Sequence, residues 1–287
     1  MHSFQVVRPS SFSEALDILH ERRPGWRVIA GGTDLMVHLR NSLDGESGLK
    51  GLVDLSGLDE LRGFETADTE HHVGAMTTFA EICMSPLAKR EAPLLADMAW
   101  QMGSPQIRNL ATVGGNLANS ATAADSIPPL LALCAEVTLV SASGTRILPL
   151  DEFIVGPGRT DIRPDEILTR ISFARLPEYT SWGYTKVGRR KSAAISRASV
   201  AAVYLPARAG EGCICRLAVG AVTPKPVRLQ KAEQCLVKDD WGPESIARAA
   251  VAAREEVTAI TGIRWSSAYK LPVLENLVRR TLEGMNR

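Results

Sequence analysis

The chain has 287 residues, of which 45% are apolar and 23% charged, and its net charge is +1. This is enough apolar material for one large core or for two or three smaller ones, and the nearly balanced charge gives no attraction to nucleic acid or to an anionic membrane surface. No segment reaches the roughly 20 apolar residues that span a bilayer, and the first residues lack the apolar core of a signal peptide. We therefore expect a cytoplasmic protein with no membrane span and no nucleic-acid partner.

The first third of the chain predicts strands that alternate with helices. Ser11 and Glu14 have the spacing of a capping box, and so do Thr78 and Glu81. The predicted strands cover residues 4–9, 27–30 and 48–56. The predicted helices cover residues 10–21 and 92–102, and a third helix begins at Thr33 or Asp34. Residues 71–83 are predicted to form a strand–turn–helix unit.

The rest of the chain predicts a change of architecture. A short helix and a hairpin with its turn at residues 141–144 come first. Residues 156–161 begin like a dinucleotide fingerprint but lack its third glycine, so we predict a loop there and a strand after it. A composition change near residues 174–183 precedes three long strands of a meander, and helices over residues 244–261 and 271–283 close the chain.

These elements predict an α+β protein in three parts, residues 1–56, 57–174 and 175–287, of which the first two can form one functional domain. The five cysteines are scattered and odd in number, which argues against a disulfide framework. Because no run of them has the spacing of a zinc site or an iron–sulfur cluster, we expect neither on this chain.

Two glycine pairs directly follow apolar, strand-like residues: Gly31 and Gly32, and Gly114 and Gly115. Since glycine has no Cβ, backbone N–H groups around such a pair can converge on an anion, and a helix N-terminus after the first pair would favour phosphate. A single pair is more often only a tight turn, and neither pair matches the Rossmann or Walker pattern. Two such loops together predict a clasp around the phosphates of a dinucleotide.

The motifs taken together resemble one known family. The segments AGGTDLMVHLR and GSPQIRNLATVGGNLANSATAADSIPPLLAL, followed by FIVGPGRT, DEIL, YTKVGRR and AVGAVTPKPVRLQKAEQCL, resemble the FAD-binding subunit of xanthine dehydrogenases and related molybdenum hydroxylases. The resemblance covers nearly the whole chain, and its GGTD, QIRN and GPG elements look closer to purine-hydroxylating xanthine dehydrogenases than to carbon monoxide dehydrogenases. It implies a two-part FAD-binding domain of the vanillyl-alcohol oxidase (PCMH) type and a C-terminal sheet-plus-helices domain of the CO dehydrogenase flavoprotein type.

The resemblance also implies which residues bind the FAD. The first glycine segment would wrap the pyrophosphate, and the second would close on it with side-chain help from Thr112 and Asn116. No residue is expected to act as an acid or base on a substrate, and no residue is expected to bind a metal. The implied cofactor-binding set is Val28, Ile29, Ala30, Gly31, Gly32, Thr33, Asp34, Thr112, Gly114, Gly115, Asn116, Asp125, Leu168, Lys186 and Ile195.

Four members of this set have a second interpretation that needs no cofactor. Asp125 matches an acid that contacts the FAD, and it can also, or only, cap the following helix. Leu168 matches a residue on the adenine and Ile195 one that approaches the isoalloxazine ring, although either can be an ordinary core residue. Lys186 matches a lysine near the flavin, although it can be a solvated strand lysine.

The sequence departs from the family just before Ile195. Relatives often carry an acidic residue there, where this chain has Ala193 and Ala194. The absence of that acid leaves the electron acceptor open, since an acid near the flavin affects its reduced form and the access of nicotinamide. The basic run of Arg189, Arg190 and Lys191 can attract an anionic nucleotide or can simply be a solvated face.

The resemblance implies a division of labour between subunits. A large molybdopterin subunit would hydroxylate the substrate, a small subunit with [2Fe–2S] centres would pass the electrons to FAD on this chain, and NAD⁺ would accept them. One alternative is a self-sufficient flavoenzyme of the same fold, for which His71 and His72 are the paired acid–base candidates. The other alternative is a scaffold that has lost FAD, against which the intact glycines argue.

Overall fold

The computed structural model describes residues 4–41, 48–190, 193–207, 213–237 and 241–285. Lys191, the last residue of the basic run, lies outside them. The combination of helices with parallel and antiparallel sheets confirms the predicted α+β class. Among the described residues, no helix is long and apolar enough to cross a membrane. The predicted division at residues 56 and 174 stays a prediction.

A small parallel sheet forms the N-terminal part of the fold. Its strands are β1 (Gln5–Val7), β2 (Trp26–Ile29) and β3 (Gly51–Asp54), with β3 between the other two. Helix α1 (Phe12–Arg22) supplies the crossover that parallel β1 and β2 require, and α2 (Leu35–Asn41) follows β2. The first glycine pair therefore lies between a strand and a helix, as predicted.

The middle of the chain combines short helices with an antiparallel sheet. Its elements are β4 (Phe64–Thr66), β5 (Glu70–Gly74), α3 (Phe79–Met84), α4 (Pro86–Glu91), α5 (Pro93–Gln101), α6 (Pro105–Leu110), α7 (Val113–Asn119), α8 (Ile127–Ala132), β6 (Glu136–Ser141), β7 (Gly144–Pro149), α9 (Leu150–Phe153), β8 (Ile154–Gly156), β9 (Arg159–Thr160) and β10 (Ile167–Ala174). The sheet order is β4-β5-β10-β6-β7, and the helices share one hydrophobic core with it. The predicted β6–β7 hairpin is confirmed, with Ser141 paired to Gly144.

The C-terminal part is an antiparallel meander packed against three helices. Its elements are β11 (Ser181–Gly188), β12 (Ser196–Leu205), β13 (Ile214–Gly220), β14 (Val227–Arg228), α10 (Gln230–Val237), α11 (Pro243–Thr261) and α12 (Ser267–Gly284). The strands pair in chain order and share a second core with the helices. The three long strands and both closing helices are thus confirmed. Helix α12 begins earlier than predicted and includes Pro272. A proline so near the start of a helix removes only one helical hydrogen bond, so the helix can continue through it.

The two predicted capping boxes have different outcomes. Thr78 and Glu81 form the complete reciprocal box at the start of α3. Ser11 caps α1 as predicted and accepts a hydrogen bond from the amide of Glu14. The carboxylate of Glu14, however, binds the amide and hydroxyl of Ser10 rather than the amide of Ser11. The reciprocal half of the first box is therefore wrong by one residue.

The second glycine pair lies in a helix, not after a strand. Helix α6 ends just before it, and both glycines fall in the first turn of α7, with Thr112 as the N-cap. The expectation of strand-like residues before this pair is wrong because two helices of six and seven residues are too short for apolar periodicity to reveal. The loop predicted over residues 156–161 contains part of the small hairpin of β8 and β9.

Candidate functional site

A cleft of about 510 Å³ opens where the two glycine segments meet. Its volume falls within the range of small-molecule and cofactor pockets in proteins. The members of the implied cofactor-binding set that line this cleft are Val28, Ile29, Ala30, Gly31, Gly32, Thr33, Asp34, Thr112, Gly114, Gly115, Asn116 and Leu168. Asp125, Lys186 and Ile195 do not line it, so the fold divides the set between this cleft and a second place.

The first glycine segment presents unused backbone donors to the cleft. Strand β2 ends at Ile29 and α2 begins at Leu35, so residues 30–34 form a short connection. Within the described part of the chain, the N–H groups of Gly31, Gly32, Thr33 and Asp34 have no hydrogen-bond acceptor. Gly32 has a φ of +67°, a left-handed conformation that glycine adopts without steric cost. Consecutive amides of this kind form a concavity for an anion.

In the second glycine segment the amides from Val113 to Asn116 already have acceptors. The amides of Val113 and Gly114 donate to the carbonyls of Thr77 and Ala75. The amide of Gly115 donates to the Thr112 hydroxyl at 3.0 Å, which is the usual N-cap bond. This segment is therefore fixed to the residues before α3. It can still offer a ligand the amide of Thr112, for which no acceptor lies within the described residues, and side-chain groups of Thr112 and Asn116.

The glycines let the two segments approach each other closely. A Cβ on Gly31 would collide with the carbonyl oxygen of Leu110, just before the second segment, and a Cβ on Gly114 would lie 2.5 Å from the Cβ of Ala75. A Cβ on Gly115 would lie 3.5 Å from the Cβ of Ala30 across the cleft. Gly31 and Gly114 are thus required by backbone packing, whereas Gly115 keeps the space between the two segments open.

The far wall of the cleft is the start of β10. Leu168 is buried there and offers an apolar surface. Two residues earlier, Glu166 binds Arg146 through two hydrogen bonds of 2.7 and 2.8 Å and also accepts from the amide of Arg163. Burial alone would raise the pKa of Glu166, but these hydrogen bonds and the charge of Arg146 hold the pKa below its ordinary value. Glu166 is therefore a fixed carboxylate in the cleft wall.

A second group of polar residues surrounds Asp125. Its Oδ2 accepts a hydrogen bond from Lys186 Nζ at 2.7 Å, and its Oδ1 accepts from Ser196 Oγ at 2.5 Å and from Tyr184 Oη at 3.2 Å. We call these four residues the Asp125 cluster. Burial raises the pKa of Tyr184 and the charge of Asp125 raises it further, so the phenol remains a proton donor. The cluster ties the segment before α8 to strands β11 and β12.

The structure contradicts three of the four interpretations that need no cofactor. The N-cap of α8 is Ser126 rather than Asp125. The side chain of Lys186 is only 11% exposed in its ion pair, so Lys186 is not a solvated strand lysine. Ile195, directly before Ser196, is 81% exposed and is not a core residue. Only for Leu168 do both interpretations hold, because it belongs to the core and also lines the cleft.

One hydrogen bond connects the two places. Ser126 Oγ donates to Asn116 Oδ1 at 2.7 Å in a buried position. Asn116 lines the cleft, and Ser126 follows Asp125 in the chain. One buried hydrogen bond and one step along the chain thus connect the two groups of implied residues.

The residues fit FAD. Free amides beside a left-handed glycine suit the pyrophosphate, and the apolar wall at Leu168 suits an aromatic base. A family model described as the FAD binding domain in molybdopterin dehydrogenase matches residues 2–176, and a second, described as the CO dehydrogenase flavoprotein C-terminal domain, matches residues 183–285. The chain belongs to the family of FAD-binding medium subunits of molybdenum hydroxylases.

Relatives of this family cover nearly the whole chain. A putative xanthine dehydrogenase FAD-binding subunit of Escherichia coli K12 is 31% identical, with 96% of this chain and 93% of the relative covered. The nicotinate dehydrogenase FAD-subunit of Eubacterium barkeri is 29% identical, with 98% and 95% covered. The solved structure of carbon monoxide dehydrogenase from Hydrogenophaga pseudoflava superimposes with a TM-score of 0.89 at 26% identity, covering 99% of this chain and 97% of that one.

The FAD-binding medium subunit carries residues that the sequence did not single out. Tyr184 and Ser196 belong to the Asp125 cluster, and Arg146 fixes Glu166 in the cleft wall. A signal existed for two of them. Tyr184 shares a strand face with Lys186 two residues later, and Ser196 adjoins Ile195. Nothing in the sequence around Arg146 points to the cleft, since its partner lies 20 residues away.

Proposed function

We propose that this chain binds FAD across the cleft and the Asp125 cluster and passes electrons within a molybdenum hydroxylase of several subunits. A small subunit with [2Fe–2S] centres supplies the electrons, a large molybdopterin subunit hydroxylates the substrate, and NAD⁺ accepts the electrons. When bound, FAD would supply a group that can take up electrons one at a time and give up two of them together with a proton, as a hydride. The observation that carries the proposal is the row of free amides from Gly31 to Asp34 in the cleft.

Each part of the site then has a physical task. The free amides of the first glycine segment hold the pyrophosphate, because aligned N–H groups neutralise its charge without a mobile side chain. Thr112 and Asn116 close on it from the second segment, and Leu168 packs on the adenine. The flavin ring would lie toward the Asp125 cluster, with Lys186 and Ile195 beside it, and these residues would orient it.

The relatives support the assignment to a subunit. They are named as FAD-binding subunits, FAD-subunits and medium chains of dehydrogenases. Their identities of 28% to 31% are too similar to separate a xanthine dehydrogenase from a carbon monoxide dehydrogenase, so we propose no substrate. The five free cysteines support a reducing compartment, in agreement with the cytoplasm.

The self-sufficient flavoenzyme receives no support from its acid–base candidates. His71 is buried and stacked on Phe64, with Phe173 tilted against it, and burial lowers its pKa. His72 binds Ser172 through Nδ1 at 3.0 Å. Neither histidine lines the cleft. We therefore prefer the subunit function.

The test is a visible absorption spectrum of the purified chain, followed by anaerobic addition of NADH. We expect flavin bands without iron–sulfur shoulders, release of FAD on denaturation, and bleaching of the bands by NADH. A chain that stays colourless after addition of FAD would sink the proposed site. A flavin that NADH does not reduce would instead remove NAD⁺ as the acceptor, and turnover of a small molecule by the chain alone would favour the self-sufficient enzyme.

A further inference from the structure

Helix α2 lacks the buried face that α1 has. None of the seven residues of α2 is buried, and Val37 is 54% exposed. Among the described residues, no apolar side chain of α2 belongs to a hydrophobic core, whereas Ala15, Ile18 and Leu19 of α1 pack in the core of the small parallel sheet. A helix shorter than about 12 residues is only marginally stable in water, and helices in proteins owe most of their stability to packing. The chain itself therefore gives α2 little of the packing that a short helix needs.

The exposed side of α2 forms a wall of the cleft. Leu35, Val37, His38 and Asn41 line the cleft from this helix. Leu35, His38 and Asn41 recur at every third position, so they lie along one face of the helix. The wall combines two apolar side chains with two side chains that can form hydrogen bonds. A ligand in the cleft would therefore cover the side of α2 that the protein leaves exposed.

The adenosine half of FAD is the half that fits beside α2. The free amides of residues 31–34, which we propose to hold the pyrophosphate, directly precede this helix. Leu168, the proposed contact of the adenine, lines the same cleft, whereas Asp125 and Lys186 do not. Because the flavin ring is proposed to lie toward the Asp125 cluster, the part of the cofactor that remains for the wall at α2 is the adenosine.

We propose that the adenosine half of FAD completes the packing of α2, so that this helix gains its stability from the bound cofactor. The inference rests on the proposed function, because it takes FAD as the occupant of the cleft. Val37 offers the largest exposed apolar surface of the helix, and the adenosine would cover it. Release of FAD then requires α2 to give up this packing. The chain thereby retains a dinucleotide longer than FMN, which has no adenosine.

Hydrogen exchange, measured by mass spectrometry on the full chain, tests this coupling. The amides of α2 should exchange at least about tenfold more slowly with FAD bound than without it, because a helix with few buried contacts opens at little cost in free energy. ADP, which has the adenosine and two phosphates but no flavin, should slow them as well. Helix α11, whose buried residues include Ala249 and Ala253, is the internal control and should exchange equally in all three states.

The outcomes separate this inference from the proposed function. Equal exchange of α2 with and without FAD, while the flavin bands show that FAD is bound, would overturn the inference and leave the proposed function intact. Slower exchange with FAD but not with ADP would place the flavin half against α2 and would also overturn it. A chain that takes up no FAD at all would contradict the proposed function, and the inference with it.

The variant Val37→Ser measures what this side chain contributes. Serine and valine have similar helix propensities, and Val37 is 54% exposed, so the thermal unfolding midpoint of the FAD-free chain should stay unchanged. The affinity for FAD should fall at least about fourfold, the factor that corresponds to roughly one buried CH₂ group, and dissociation of FAD should be faster. The matched control is Val155→Ser on β8, because Val155 is 47% exposed and does not line the cleft. Equal FAD affinities of the two variants would contradict a contact between Val37 and the cofactor.

Discussion

Lys186 Nζ lies 2.7 Å from Asp125 Oδ2, and their side chains are only 11% and 8% exposed. The two residues are 61 positions apart, and their pair fastens β11 to the segment before α8. Two charges in such a position are stable only together, because removing one leaves the other buried without a counter-charge. The pair therefore serves the fold as well as the proposed flavin site.

We predict that Lys186→Met lowers the free energy of unfolding by about 3–5 kcal/mol, the usual cost of leaving a buried charge unpaired. Urea unfolding of the FAD-free chain measures it. The matched control is Arg8→Met, which breaks a pair with the same 2.7 Å distance, to Asp54, but with Arg8 66% exposed. That variant should lose less than about 1 kcal/mol. Equal losses for the two variants would contradict a special role of burial at Asp125.

The double variant Lys186→Met with Asp125→Asn should recover part of this loss. The asparagine still accepts from Tyr184 and Ser196 but carries no charge, so the methionine no longer faces an unpaired carboxylate. We expect the double variant to lose less stability than the sum of the two single variants. Additive losses, measured by the same urea unfolding, would show that the two side chains act independently.

Gly115→Ala should separate cofactor binding from stability. The new methyl would lie 2.8 Å from Thr112 Oγ1 and 3.5 Å from the Cβ of Ala30, inside the cleft. Alanine favours a helix over glycine by about 1 kcal/mol, which offsets the loss of the cap bond of about the same size. We therefore expect a small change in stability and at least a tenfold (~1.4 kcal/mol) loss of FAD affinity, measured by fluorescence titration.

The control for this prediction is Gly284→Ala at the end of α12, where a Cβ would meet nothing within 4 Å. It makes the same chemical change in a helix far along the chain from the glycine segments and should leave FAD affinity unchanged. If Gly115→Ala binds FAD like the wild type, the cofactor does not pass between Thr112 and Ala30.

The glycine segments show what local sequence can and cannot predict. The apolar residues before Gly31 and the helical spacing after it placed that pair correctly between β2 and α2. At Gly114 the same reasoning failed, because glycine has a low helix propensity and α7 forms in spite of it. Packing against Ala75, 39 residues earlier in the chain, requires glycine there. Contact with a distant element is not encoded in the neighbouring residues.

The Asp125 cluster also depends on contacts between distant parts of the chain. The residues themselves suggested a helix cap, a solvated lysine and a core isoleucine, and the structure contradicts each of these interpretations. The family resemblance assigned Asp125, Lys186 and Ile195 to one site, which local patterns could not do, since Asp125 and Lys186 are 61 residues apart in the chain. Tyr184 and Ser196 were missed although each lies close in sequence to a residue of the implied set, because the sequence does not show which acceptor a hydroxyl group will bind.

Glu166 should make stability depend on pH in the acid range. Its pKa is lower in the folded chain than its ordinary value of 4.5, so the folded state binds fewer protons than the unfolded state in this range. The stabilisation is therefore complete above pH 4.5 and is lost as the pH falls through the folded pKa. We predict that Glu166→Gln has a shallower acid limb in urea unfolding. An acid limb as steep as that of the wild type would assign the loss to other carboxylates.

Ile195→Ala should affect the flavin and not the fold. Because Ile195 is 81% exposed, its truncation should cost less than about 0.5 kcal/mol, whereas Ile127→Ala in the fully buried start of α8 should cost about 2–5 kcal/mol. In the FAD-loaded chain, however, we expect Ile195 to lie against the proposed ring position. We therefore expect Ile195→Ala to shift the flavin absorption bands and to change the rate at which NADH bleaches them, while FAD stays bound through the pyrophosphate. Unchanged bands and an unchanged rate would place the ring away from the Asp125 cluster.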